Sequence, residues 1–288
     1  MAEKDRDKEI TSLIKLLDDP DPEIYHHVED KLLSYGEEII SVLEQEWEQS
    51  FDAILQERLI NLIHKIQFDS VKTDLALWHH SGAFDLLSGI LIINRYQYPD
   101  IDEQKIINQI ENIKRDIWLQ LLYDASPVEK VKLINHIFYN IYGFTGNISN
   151  HKDPQNSYIS QVLESKKGNQ ISLAIIYSII AQKLDIPIYG VNLPQHFILA
   201  YEDETGLNID DTSVLFYINV FNKGFIFNRK DIDMFLKQLK IHPEKAFYEP
   251  CSNVDIIKRV LRNLISSYEE LGSEDKAAEI RQLLGVFS

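Results

Sequence analysis

Apolar residues recur at intervals of three and four along most of the chain, the spacing that lines one face of a helix. The runs 9–17 (EITSLIKLL) and 23–33 (EIYHHVEDKLL) predict two helices. Between them, DDPDP supplies prolines that end the first and open the second. Gly36 stands where a C-terminal stop belongs, and further helices are predicted over 38–47 and 51–67. A helix over 73–94 is expected to break near Gly82 or Gly89. After the turn YQYPDID, a long amphipathic helix is predicted over 103–123, with Ile106, Ile107, Ile110, Ile113, Ile117 and Leu121 on one side. Ser126-Pro127 has the N-cap and first-turn chemistry of another helix, expected to run to about Tyr142. Residues 143–157, rich in Asn, Gly and Asp, read as a loop.

From Gly168 the pattern changes. The stretch from Ile171 to Leu184 is apolar on nearly all sides, so this helix belongs at the centre of a domain. Two short strands, 188–193 and 196–201, follow it. The connection 202–213 is turn-rich, a third strand covers 215–221, and a fourth begins at 224–227 after the Asn222-Lys223-Gly224 turn. Helices over 229–239, 255–270 and 275–284 complete the pattern, the last two as an antiparallel pair about Gly272-Ser273. Helices segregated from one small antiparallel sheet, over about 186–228, give a predominantly helical α+β class.

Composition adds exclusions. The 288 residues are 44% hydrophobic and 26% charged, a globular balance. A net charge of −16 opposes both a nucleic-acid partner and an anionic membrane surface. Cys251 is the single cysteine, so no intrachain disulfide forms, as in a reducing compartment. The first ten residues lack the apolar core of a secretory signal. The uncharged, largely apolar run 168–182 is too short and too polar to span a bilayer. A soluble cytoplasmic protein is expected. The adjacent pairs His26-His27 and His79-His80 point about 100° apart on a helix and make poor joint ligands. With no zinc-type spacing and no phosphate-binding glycine loop, neither a metal nor a cofactor is expected. The acidic runs 18–21 and 202–204 read as solvated turns.

Three elements fall in a suggestive order: Gly168 before the buried helix, His196 at the start of a strand, and Asn219 on a second strand. The segment YISQVLESKKGNQISLAIIYSIIAQKLDIPIYGVNLPQHFILAY, followed by FYINVFNKG, resembles the transglutaminase-like superfamily, which shares its fold with papain-type cysteine hydrolases. It is most similar to the bacterial SirB-type branch. The likeness spans about 157–230 and rests on K-G-N-x-I-S-L-A, L-P-x-H-F and F-N-K-G taken together. It implies a core over 73–245 in which a buried central helix packs on a small antiparallel sheet. Residues 1–72 resemble a HEAT repeat, one unit well and a second poorly. A single repeat does not bury its own apolar face, so this segment is expected to pack on another part of the chain. It also reads as a plain helical hairpin with no binding role. Residues 246–288 resemble the opening of a tetratricopeptide unit, one hairpin and no more.

Active members of the superfamily hold a thiolate at the N-terminus of the buried helix, where the helix dipole and an imidazole favour it. The histidine moves the proton, and a carboxylate or amide orients the ring. By motif, the resemblance puts Gln170 at the nucleophile position, His196 at the base and Asn219 at the orienting residue. Gln170 has no ionisable proton and forms no acyl-enzyme. Asn219 replaces the usual aspartate yet can still orient an imidazole. Ser172 lies about 200° round the helix from Gln170 and should face away from His196. Leu173 and Ala174, which share the Gln170 face, are inert. Cys251, at a helix entry after Pro250, reads as a packing residue or as a thiol acidified by that helix. His196 itself reads as a repurposed base beside a pocket or as a strand histidine satisfied by a loop.

The expected function is a non-catalytic pseudoenzyme that binds a protein or peptide partner. The alternative is a hydrolase or acyltransferase using His196 with a non-cysteine nucleophile or an activated water. A third possibility is a purely structural interaction protein.

Overall fold

Capping chemistry sets most helix boundaries in the computed structural model, which describes residues 2–203 and 213–288. The chain divides into two units, residues 1–74 and 75–288.

The first unit contains α1 (Ala2–Ile14), α2 (Pro22–Leu33), α3 (Ile40–Gln49) and most of α4 (Ala53–His80). Asp21 caps α2 by accepting the Glu23 amide, and Pro22 fills the first turn, where no amide partner is missed. These helices close a core of their own, with Ile10, Ile14, Leu17, Leu32, Leu43 and Leu59 buried together. Arg58 on α4 donates to the carbonyls of Leu17 and Asp19 and ties down the turn between α1 and α2. The segment expected to pack on another part of the chain thus has a buried core of its own.

Helix α4 also replaces two predicted helices with one. Neither glycine nor proline occurs between Ala53 and His80, so nothing in the sequence stops it. The break comes at Gly82, whose φ of +101° suits glycine alone. Gly89, the other candidate, lies inside α5 (Leu86–Gln97). There its missing side chain makes room for Trp78, since a Cβ would come within 2.7 Å of the indole.

In the second unit, α6 (Glu103–Trp118) buries Ile106, Ile110, Ile113 and Ile117. It ends short of the predicted Tyr123, because Leu119, Leu122 and Tyr123 face solvent and no core draws the helix onward. Helix α7 (Pro127–Asn135) starts from a Ser126–Glu129 capping box and continues as a wide π-helical turn over His136–Ile141. A short parallel pair, β1 (Thr145–Gly146) with β2 (Lys167–Gly168), flanks α8 (Ile159–Ser165) and was not foreseen. Two-residue strands carry no periodicity to read.

The central helix α9 (Gln170–Gln182) is buried from Ile171 to Ala181, as its all-round apolarity predicts. It packs against a four-stranded antiparallel meander of β3 (Ile188–Val191), β4 (Ile198–Glu202), β5 (Val214–Asn219) and β6 (Phe225–Phe227). Most of the predicted 202–213 connection, with part of the 202–204 acidic run, lies outside the described residues. Helix α10 (Arg229–Leu239) follows, then the hairpin α11 (Asn253–Glu270) and α12 (Glu274–Gly285). Helix α11 packs on α12, α9 and α5, and Asn253 at its start donates to the Ala83 and Phe84 carbonyls, each at 2.9 Å. The α+β architecture expected from the sequence is present. Among the described residues no helix is long and apolar enough to cross a membrane.

Candidate functional site

The first turn of α9 is assembled by its flanking residues. Asn169 caps the helix, its Oδ1 accepting the Ser172 amide at 2.9 Å, while Ser172 Oγ takes the Asn169 amide at 3.0 Å. Asn169 Nδ2 donates onward to Ser157 Oγ at 2.9 Å. Gly168 is required here, because a Cβ would lie 2.6 Å from Ser172 Oγ. Ser172 is thus buried and committed to the cap, in keeping with its predicted orientation.

Gln170 occupies the next position, half-buried. Its Oε1 accepts the Phe197 amide at 3.2 Å and its Nε2 lies 3.0 Å from His196 Nδ1. The turn before β4 presents both partners: Gln195 adopts a left-handed φ of +60°, and the His196 amide closes onto the Leu193 carbonyl at 3.1 Å. The Phe197 N–H can only donate, so the Gln170 oxygen must face it and the Gln170 amide nitrogen must face His196. Nδ1 is then the acceptor, and the proton of the neutral ring sits on Nε2. Protonating Nδ1 would set two donors against each other. Burial, and after it the Arg259 charge, also hold the His196 pKa below its ordinary value. The ring stands edge-on to Phe235 of α10, with centroids 4.9 Å apart.

Asn219 is placed differently. It ends β5, and its Oδ1 accepts the Asn222 amide at 3.0 Å, capping the 3-10 turn that leads to β6. Asn219 and His196 line one cavity of about 310 Å³, together with Phe225, Asp231 and Phe235. Gln170 lines a second cavity, of about 420 Å³. The structure therefore joins Gln170 to His196 by a hydrogen bond and brings Asn219 to a shared cavity wall with its side-chain oxygen engaged by the turn.

Cys251 takes no part. It is half-buried, its amide donates to the Gly190 carbonyl at 2.8 Å, and burial with the nearby Asp255 charge pushes its thiol up to about 12. The reading of an acidified thiol is corrected, and the packing role remains.

The sequence reading missed Arg259. This α11 side chain lines the larger cavity and donates from Nη1 to Asn192 Oδ1 at 3.0 Å. A signal did exist: Arg259, Asn263, Ser267 and Glu270 recur at helical spacing on the polar side of α11. Among the described residues no group of acidic, histidine or cysteine side chains is arranged to hold a metal.

Comparison with known proteins agrees with this architecture. Residues 104–262 match the family model described as the transglutaminase-like superfamily. A UPF0162 protein of Xylella fastidiosa is 29% identical over 225 residues, covering 71% of this chain and 74% of the relative. The UPF0162 protein YchA of Escherichia coli is 24% identical over 197 residues, covering 67% and 69%. Human F-box only protein 21 is 30% identical over 224 residues, which cover 70% of this chain but 35% of that protein. No solved structure matches significantly. The matched region runs from α6 into α11 and contains the Gln170–His196 bond, so the chain belongs to the transglutaminase-like superfamily.

Proposed function

We propose that this chain is a pseudoenzyme of the SirB-type branch, a cytoplasmic protein that acts by binding a protein or peptide rather than by catalysis. One observation carries the reading: the Gln170 amide donates to His196 Nδ1 at the head of the buried helix. In this reading Gln170 stands at the nucleophile position, and an amide there has no readily ionisable proton and no lone pair basic enough to attack. The same bond occupies the imidazole lone pair that a general base needs. His196 and Asn219 then persist as site residues in which one member of the triad is replaced. The HEAT-like segment 1–72 and the hairpin 246–288 flank the core 73–245 and offer partner surfaces.

The alternative, a hydrolase or acyltransferase using His196 and an activated water, requires Gln170 to release Nδ1. Ser172 offers no route, because its hydroxyl belongs to the α9 cap. The test is turnover of amide, ester and thioester substrates by the full chain, compared with His196→Ala. The expected result is no hydrolysis above background in either protein. Turnover that disappears in His196→Ala would overturn the reading.

A further inference from the structure

Helix α11 has two faces. Ile256, Ile257, Val260, Leu261 and Leu264 are buried, whereas Arg259, Asn263, Ser267 and Glu270 line the cavity of about 420 Å³ that Gln170 also lines. Arg259 is the unusual member. Its guanidinium is half-buried, and desolvation followed by the Arg262 charge lowers its pKa. The bond it makes is to a neutral amide oxygen, that of Asn192. Among the described residues it pairs with no carboxylate, although acidic residues outnumber basic ones 45 to 29. Glu270, the one acidic side chain lining the cavity, is already engaged by Lys152 at 2.8 Å. A guanidinium carries five donors in a planar fork that matches a carboxylate. Among the described residues most of those donors lack an acceptor, in a cavity also lined by the amides of Gln170, Gln195 and Asn263 and by the Phe197 ring. A pocket of this size with few convergent polar groups suits a short ligand end.

We propose that this cavity binds a peptide carboxylate, with Arg259 holding the carboxylate and the amide side chains pairing with the adjoining peptide bonds. The proposal rests on the binding reading above and names its ligand class. The carboxylate can come from a chain terminus or from an acidic side chain, since both present the same planar anion.

The test is a titration of the full chain followed by NMR of its side-chain amide and arginine Nε signals. Three probes are used: N-acetyl-Gly-Gly-Ala with a free carboxylate, the same peptide amidated at its C-terminus, and N-acetyl-Gly-Glu-Gly-amide. Saturable shifts at Arg259, Gln195 and Asn263 are expected with the free acid, and affinity should fall at least about tenfold with the amidated peptide, the scale of a charged hydrogen bond. Tighter binding of the glutamyl peptide than of the free acid would assign the source to a side chain, and its failure beside a binding free acid would assign it to the terminus. Arg259→Met should lose the preference for the acid. Asn263→Asp, which leaves the Asn192 contact in place, should weaken binding to a similar degree by adding a like charge. Equal shifts with acid and amide, no shifts with any probe, or full affinity in a folded Asn263→Asp protein would overturn the proposal. Cleavage products during the titration would overturn the non-catalytic reading and leave the carboxylate site standing. Absent shifts without cleavage would overturn the site alone.

Discussion

Gln170 and His196 share a hydrogen bond whose direction is imposed by a third group, the Phe197 amide. Because that amide fixes the Gln170 oxygen, the imidazole is held neutral with Nδ1 as acceptor. The arrangement works against a histidine taking a second proton, in the same sense as its burial and the Arg259 charge.

Stability should therefore depend on pH in a definite direction. The folded His196 pKa lies below its unfolded value near about 6.5. The contribution is present above that value and is lost as pH falls through the folded pKa. Urea unfolding between pH 5 and 8, with His196→Gln as reference, should show the wild type losing the extra stability on the acid side. Gln170→Glu should reverse the sign. A carboxylate facing Nδ1 raises the folded pKa, so its contribution is present below the unfolded value and lost as pH rises through the folded one.

Gln170→Cys should give a thiol more acidic than an ordinary cysteine at about 8.5, because the head of α9 and His196 both favour the thiolate. The native Cys251, pushed up to about 12, serves as an internal control. Alkylation by iodoacetamide, followed by peptide mass mapping at pH 7, should label position 170 well before position 251. Equal labelling, or none at 170, would show that His196 does not reach a residue there.

Gly168→Ala should destabilise the second unit by about 1–3 kcal/mol, since the added methyl group collides with Ser172 Oγ inside the α9 cap. Ser172→Ala, which removes half of the capping box without a collision, should cost about 1 kcal/mol. Equilibrium urea denaturation of the two variants measures both.

Gly89→Ala sets two effects against each other. Helix propensity favours alanine by about 1 kcal/mol. The new Cβ, however, meets the Trp78 indole at 2.7 Å, and Trp78 is itself anchored by its Nε1 bond to the Asp85 carbonyl at 2.8 Å. Net destabilisation is expected, read by thermal unfolding, and a stabilised variant would show that the indole relaxes freely.

Periodicity made the helices legible, above all α9, whose apolarity on every side matches its burial from Ile171 to Ala181. Cap chemistry made the start of α7 legible, because Ser126 acts within a few residues of itself. Ends set by the absence of a core were harder to see, as at Trp118, where the apolar pattern continues past the last buried turn. At the site, the family resemblance singled out Gln170 and His196, and the structure joins them. The isolation of Arg259 was not legible, because it depends on which polar groups meet across a long stretch of chain, whereas the engagement of Asn219 is a local cap, made by the amide three residues on, that the triad role implied by the resemblance leaves out.

The match to the family model ends at residue 262, yet α11 continues unbroken to Glu270. A fragment trimmed to the matched region would keep Arg259 and lose Ser267 and Glu270, splitting one wall of a cavity in the middle of a helix. The edge of that match is thus not a place to cut, and expression fragments should extend through the final hairpin. Substitutions at Ser267 or Glu270 would therefore reshape this cavity wall from outside the matched region, without touching Arg259 or the Gln170–His196 bond.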